Sequence, residues 1–251
     1  MRPEYPSFHL RAFRKILRVI GNLWKRVRAQ VHRFQGIRPL AEIGKSHGTD
    51  KVDEHHSFQG KSFLDIYESY LHPWRYRPVC LLEIGVLDGN SIRTWKDYFP
   101  KGEICGLDID PACKSNEEGR ISIAIGSQDD AELLESAFPG VDFDVIVDDG
   151  SHINTFTIAS FQFLFHNRLV PGGFYIIEDL ACTYDQLQSN HQILDWWPGM
   201  QYNDPSKTYD NDRSLMDTFF NSLIRDLDHR AGDIEYIHFW AQTCVIKKRR
   251  F

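Results

Sequence analysis

Residues 79–91 read VCLLEIGVLDGNS: an apolar run, then Glu83, then two glycines four apart. A short apolar run bounded by turn residues predicts a buried strand, Val79–Val86, and the residues after Asn90 take up a helical pattern through Trp95 and Tyr98. The alternation continues outward. Strands are predicted at Ile104–Ile109, Ile121–Ile125, Phe143–Val147 and Phe174–Ile177, the last introduced by a turn at Pro171-Gly172-Gly173. Between them lie helical patterns through Leu133, Leu134 and Phe138 and near Ile153–Phe165. Strand and helix in alternation imply a parallel sheet with helices on both faces. After a helix near Ser214–Leu227, two further strands, Ile234–Trp240 and Thr243–Lys247, stand two residues apart and predict an antiparallel hairpin. The expected fold is therefore α/β, with a seven-stranded, mostly parallel sheet that closes on a C-terminal antiparallel hairpin.

The 251 residues suffice for one such domain with additions, and 42% hydrophobic with 25% charged residues excludes disordered and fibrous classes. No apolar run approaches the length of a spanning helix. Five cysteines without a Cys-x-x-Cys pair speak against a zinc ribbon or a secreted disulfide framework, so a reducing cytoplasm is expected. Charge divides the chain. Residues 1–41 hold ten Lys and Arg against Glu4 alone, so the remainder carries a net −15. Within this arm Leu10, Phe13, Leu17, Ile20, Trp24, Val27, Val31 and Phe34 form a helical stripe. Such a basic amphipathic helix fits a second copy of the chain, the acidic body, or the anionic face of a membrane. The expected organisation is an arm at 1–41, a cap segment at 42–78 with a short helical pattern at Phe63–Leu71, and the sheet domain at 79–251.

The turn Gly85-Val86-Leu87-Asp88-Gly89-Asn90-Ser91 lets backbone approach a ligand and opens a helix whose amides can donate to it. Its glycine spacing is not the dehydrogenase Gly-x-Gly-x-x-Gly, which disfavours a pyrophosphate. Asp108 ends the second strand at the interval expected of a ribose-binding acid, with Asp110 as the alternative. Ser127 and Gln128, in the turn after the third strand, would flank an adenine. Candidate cofactor residues are thus Glu83, Gly85, Gly89, Asn90, Ser91, Asp108, Ser127, Gln128 and Asp148. A sheet that ends in an antiparallel hairpin is how the class I methyltransferase fold ends, whereas a dinucleotide dehydrogenase continues with parallel units.

Asp148-Asp149-Gly150-Ser151-His152 follows the fourth strand and Glu178-Asp179 the fifth. Ligands of open α/β sheets bind beyond the carboxyl ends of strands, so both clusters should face one cleft. Asp149, Glu178 and Asp179 offer oxygen ligands suited to Mg²⁺. His152, at the start of the next helix, is placed to accept a proton from a hydroxyl that the metal has acidified. Asp149 belongs to the catalytic set as well as to the metal. Ser151 is a candidate N-cap for that helix. His55 and His56 lie in no helical pattern and are set aside as ligands. The long segment 181–213, rich in Asn, Asp and Tyr, has the character of a lid, in which Tyr184, Trp196, Trp197 and Tyr202 would stack on an acceptor.

The run LEIGVLDGNSIRTWKDYFP with GLDID, FDVIVDDGSHI and PGGFYIIEDL resembles the sugar O-methyltransferases of macrolide antibiotic biosynthesis, of the macrocin and mycinamicin type. Gly48-Thr49-Asp50-Lys51, His56 and Tyr67-Glu68 are similar to the short region that precedes the core in that family. The resemblance spans residues 45–180. It implies a Rossmann-like class I methyltransferase with S-adenosylmethionine as methyl donor and Mg²⁺ held by Asp149, Glu178 and Asp179. It also implies His152 as base, Glu83, Gly85 and Asp108 at the cofactor, and Gln128 near the adenine. The expected acceptor is a sugar hydroxyl in a glycoside or glycan. Alternatives are a small phenol, or a cofactor-binding scaffold without turnover, tethered by the arm. Nucleic acid is not expected as a partner: no Asn/Asp-Pro-Pro-aromatic turn follows the fourth strand, and the body is acidic. A homo-oligomer is expected, cytoplasmic and with the arm free to meet the inner membrane face.

Overall fold

The computed structural model describes residues 37–184 and 211–250. The N-terminal arm up to residue 36, and Trp196, Trp197 and Tyr202 of the segment read as a lid, lie outside the described residues. Helix α1 (Leu40–His47) comes first, then strands β1 (Ser57–Phe58) and β2 (Lys61–Ser62) and helix α2 (Phe63–Leu71). The sheet domain follows as β3 (Cys80–Ile84), α3 (Asn90–Tyr98), β4 (Glu103–Asp108), β5 (Ile121–Ile125), α4 (Ala131–Ser136), β6 (Phe143–Asp148), α5 (Asn154–Asn167) and β7 (Leu169–Ile177). Helix α6 (Arg213–Asp228) and the hairpin β8 (Ile234–Trp240) and β9 (Thr243–Lys248) complete it. Seven strands form one sheet in the order β5-β4-β3-β6-β7-β9-β8. The first five pair in parallel, and β9 pairs antiparallel with both β7 and β8. This is the expected Rossmann-like methyltransferase fold.

The period-2 alternation of the strands sorts two cores. Val145, Val147, Phe174 and Ile176 face α1, α2 and α3, where they meet Leu40, Phe63, Tyr67 and Trp95. Ile146, Tyr175 and Ile177 face α5 and α6, where Phe161, Phe165, Phe219 and Phe220 pack. The cap segment is thus part of one face of the sheet rather than a separate layer. Its helix α2 starts on a reciprocal capping box, Ser62 with Asp65, which satisfies amides the helix itself leaves free.

Two sequence expectations change. Strand β7 begins at Leu169 and passes through Pro171-Gly172-Gly173, where the sequence predicts a turn. The pairing Phe143↔Leu169 gives way to Val145↔Phe174, so the Pro-Gly-Gly residues are absorbed as an irregularity at the strand's start. Helix α1 had no predicted counterpart; it contains Gly44, whose missing side chain admits Leu64 of α2, since a Cβ there would lie 2.4 Å from Leu64 Cδ1.

Candidate functional site

The carboxyl ends of β3, β6 and β7 and one short segment before the sheet build the site. Helix α1 closes on Gly48 at φ 77°, and the amides of Gly48 and Thr49 both donate to Gly44 O. The reversal sends the chain back over the strand ends, where Asp50–Val52 form a single 3-10 turn. That turn delivers Lys51, 2% exposed, into the middle of the acids. Its ammonium donates to Asp149 Oδ2 and, at 2.7 Å, to Glu178 Oε2, with Glu83 Oε1 at 3.8 Å. Burial opposes the charge on Lys51, but Asp149, Glu178 and Glu83 together outweigh it and hold the ammonium protonated. Burial pushes the Glu178 carboxyl up, against the pull of Lys51. Glu178 Oε1 is buried without a hydrogen-bond partner.

On the open side of this cluster stand Asp149, His152 and Asp179, whose ligand atoms all lie within 4.8 Å of one another. His152 Nε2 is 3.8 Å from Asp149 Oδ1 and 3.6 Å from Asp179 Oδ2. His152 is not in the following helix, as expected, but two residues ahead of it, at φ 54°. That conformation turns the ring back toward the strand ends, and its carbonyl is held by Asn211 Nδ2 at 2.8 Å. Ser151 is not the N-cap either: the cap position is Ile153, and Ser151 Oγ accepts from the Ile153 amide at 3.3 Å. Asp179 also meets His56, whose Nε2 is 3.5 Å from Oδ1 and whose Nδ1 is 2.9 Å from Asp50 O. Burial lowers the His56 pKa, but the bond and charge of Asp179 more than reverse this and raise it to about 9. Burial acts to raise the Asp179 pKa, but His56 and His152 bring it below the usual carboxylate value.

The two oxygen-rich strand ends therefore converge, and their carboxylates hold the Lys51 ammonium between them. One ammonium reaches both Asp149 and Glu178, while the ligand atoms that converge within 4.8 Å are those of Asp149, His152 and Asp179, with Glu178 outside that set. The donor set is oxygen-rich and fits a hard divalent ion.

The candidate cofactor residues fall into two groups. Around the glycine turn, Asp108 Oδ2 accepts from the Val86 and Leu87 amides at 2.8 and 3.1 Å, and Oδ1 from Asp110 N at 2.9 Å. Leu87 and Ile109 beside it are exposed apolar side chains. Gly85 has φ 88°, and a Cβ on it would stand 2.0 Å from Asp149 O, so this turn packs directly on the acidic cluster. Gly89 caps α3 at φ 77°, and Asn90 Nδ2 reaches Gly48 O at 3.4 Å. Ser127 hydrogen-bonds Asp129 in the exposed turn, and Asp110 caps the 3-10 turn Pro111–Asn116. The second group lies deeper. Glu83 is wholly buried, accepting from Ser91 Oγ at 2.8 Å and Trp95 Nε1 at 3.1 Å. Asp148 accepts from Gln128 Nε2, Ser160 Oγ and Tyr175 OH at 3.1, 2.8 and 3.0 Å. Gln128 Oε1 in turn accepts from Ser151 N at 2.7 Å. These residues form the polar floor beneath the cleft.

The sequence places Lys51 and His56 in the family-like segment before the core without giving them a role at the site, and nothing in it points to a pair of asparagines. Asn154 N donates to Asn211 Oδ1 at 3.0 Å, and Asn154 Nδ2 to the carbonyls of Thr183 and Asp212. Both ends of segment 181–213 are thereby tied together beside His152. Tyr184 is exposed, with the Arg213 guanidinium 4.4 Å over its ring.

No family model matches the chain. The 8-demethyl-8-α-L-rhamnosyl tetracenomycin-C 2′-O-methyltransferase of Streptomyces olivaceus is 30% identical over 230 residues, 84% of this chain and 54% of that protein. The mycinamicin VI 2″-O-methyltransferase of Micromonospora griseorubida is 38% identical over 170 residues, 64% of this chain and 37% of its own. The chain thus spans about half, or less, of the length of these curated relatives. The solved MycE methyltransferase from the mycinamycin pathway, in complex with Mg and SAH, superposes with a TM-score of 0.65 at 31% identity, over 85% of this chain and 55% of that one. A Podospora anserina methyltransferase, 16% identical with a TM-score of 0.52 over 99% of this chain, shares the fold.

Proposed function

Because the chain belongs, over the part of the relatives' length that it spans, to the family of S-adenosylmethionine-dependent sugar O-methyltransferases, we propose that it transfers a methyl group from S-adenosylmethionine to a sugar hydroxyl in a glycoside, with Mg²⁺ at the acidic cluster. The observation that carries this reading is the convergence of Asp149, His152 and Asp179 to within 4.8 Å at strand ends that lie directly against the glycine turn.

Asp149, Glu178 and Asp179 would hold the ion, which in such a site lowers the pKa of an oxygen bound to it. S-adenosylmethionine supplies a methyl on a positively charged sulfur that leaves as a neutral thioether. The chain's own residues do the rest. His152 Nε2 takes the hydroxyl proton, and Asp149 and Asp179 on either side stabilise the imidazolium that results. Asp108 accepts from the ribose hydroxyls and keeps the glycine turn folded through the Val86 and Leu87 amides. Exposed Leu87 and Ile109 offer apolar contact to the adenine. Fixing the two reactants in a near-attack arrangement is worth roughly 7–11 kcal/mol, and base catalysis a further ~10²–10⁴-fold. Tyr184, Trp196 and Trp197 would cover the acceptor.

We place this reaction in the cytoplasm, in keeping with five free cysteines and with the finding that no helix among the described residues is long and apolar enough to cross a membrane. The arm at 1–41 would serve a second copy of the chain or an anionic membrane face.

The test is S-adenosylhomocysteine release, with a matching mass gain, on a rhamnosyl glycoside such as 8-demethyl-8-α-L-rhamnosyl tetracenomycin C. Methylation that needs a divalent ion and stops in EDTA supports the reading. Transfer to catechols in preference to glycosides would move it to phenolic acceptors, and full activity in EDTA would remove the metal.

A further inference from the structure

Three carboxylates at the carboxyl ends of three different strands, Glu83, Asp149 and Glu178, meet around one ammonium. Assembling buried acids is costly unless a positive group with enough donors lies among them. A lysine offers three N–H donors on a compact point charge. Lys51 uses them asymmetrically: it binds Asp149 through Oδ2 and Glu178 through Oε2. The second oxygen of each takes no bond from Lys51. Asp149 Oδ1 looks toward His152, and Glu178 Oε1 is buried without a hydrogen-bond partner. We propose that Lys51 is a positioning residue for the divalent ion. Its ammonium grips one oxygen of Asp149 and one of Glu178 and so leaves their other oxygens, Oδ1 and Oε1, to an ion that Asp179 would also hold.

This role presupposes the methyltransferase reading and extends it to the segment before the sheet. The same 3-10 turn that carries Lys51 also receives His56 on Asp50 O, and His56 reaches Asp179. Residues 50–56 thus lay Lys51 across both acidic strand ends and His56 on that of β7. Gly48 at φ 77° and its carbonyl contact with Asn90 fix where the turn begins. Removing a group that orients metal ligands costs metal affinity even though the group never touches the ion.

Mn²⁺, a paramagnetic substitute for Mg²⁺ on oxygen ligands, can be titrated by electron paramagnetic resonance into the full chain, with S-adenosylhomocysteine affinity measured alongside by calorimetry. Lys51→Met is expected to weaken Mn²⁺ binding by roughly 10–100-fold, while S-adenosylhomocysteine binds within about threefold of the unsubstituted chain. Lys51→Gln, which keeps a hydrogen-bond donor among the acids, is the second variant should Met prevent folding, and the same loss is expected of it. Mn²⁺ binding as tight as, or tighter than, in the unsubstituted chain for a folded variant overturns the positioning role and leaves the methyltransferase reading standing. An unsubstituted chain that binds neither Mn²⁺ nor S-adenosylhomocysteine overturns both.

Discussion

Glu83→Gln should change how stability depends on pH, in one direction and over a defined window. The side chain is 0% exposed; Ser91 and Trp95 donate to it at 2.8 and 3.1 Å, and Lys51 stands 3.8 Å away. Burial, against the opposing effects of Lys51, Ser91 and Trp95, raises its pKa to about 7. In the unfolded chain the same carboxyl titrates near ~4.3. Between those values the folded protein binds the proton and the unfolded chain does not. Stability from this group is therefore complete at low pH and lost as pH rises from about 4.3 to about 7. At ~1.4 kcal/mol per pKa unit, the loss over the whole window is about 4 kcal/mol. Glutamine mimics the protonated acid: its carbonyl accepts from Trp95, and its amide donates to Ser91 once that hydroxyl reverses. Urea unfolding in EDTA at pH 5, 6, 7 and 8 should show the variant gaining about 2–3 kcal/mol on the unsubstituted chain across the series, with little change above pH 7.5. A difference between the two that stays constant over the series would refute a raised Glu83 pKa.

His152→Asn suits the left-handed backbone at φ 54° but cannot act as the base. S-adenosylhomocysteine release with the rhamnosyl glycoside should fall ~10²–10⁴-fold while S-adenosylhomocysteine binding is retained; turnover within threefold of the original removes His152 from the chemistry. Gly85→Ala places a Cβ 2.0 Å from Asp149 O at φ 88°, and the backbone conformation alone costs ~1–2 kcal/mol. Calorimetry should show S-adenosylhomocysteine binding lost in Gly85→Ala, and unaltered binding would mean that the turn has no part in the donor site. Arg168 donates to the carbonyls of Leu134, Glu135, Phe138 and Val141 and so holds the end of α4. Arg168→Met should cost roughly 3 kcal/mol or more in urea unfolding, through orphaned buried carbonyls, without altering S-adenosylhomocysteine affinity of the folded protein; the reverse pattern would place Arg168 in the site.

The sheet could be read from the chain because parallel strands buried on both faces advertise themselves as continuous apolar runs. Val79–Val86 and Cys80–Ile84, or Ile121–Ile125 in both readings, differ by a residue or two at most. The hairpin was equally plain from the two-residue gap at Ala241-Gln242. Strand ends place acids, so Asp108, Asp149 and Asp179 were visible as soon as the strands were. Lys51 was not. It sits in a polar stretch without periodicity, and its burial is decided by acids 32, 98 and 127 residues away in the chain. His56 was set aside as a ligand, and the Asn154–Asn211 pair was hidden, for the same reason. Gln128 and Asp148 show the converse limit: their positions in the chain were right for a cleft, but a sequence does not tell whether a side chain at a strand end turns outward to a ligand or inward to Ser160 and Tyr175. Pro171-Gly172-Gly173 read as a turn because local propensity favours one there, and the pairing of β7 with β6 overrode it.

The most direct test of the site is a crystal of the full chain grown with Mn²⁺ and S-adenosylhomocysteine, with the metal located by its anomalous scattering. One Mn²⁺ bound by oxygens of Asp149, Glu178 and Asp179 at about 2.2 Å, with His152 beside it and the nucleoside held at Asp108, is the predicted result. A metal bound elsewhere, or a nucleoside seated while those carboxylates bind no ion, would contradict it.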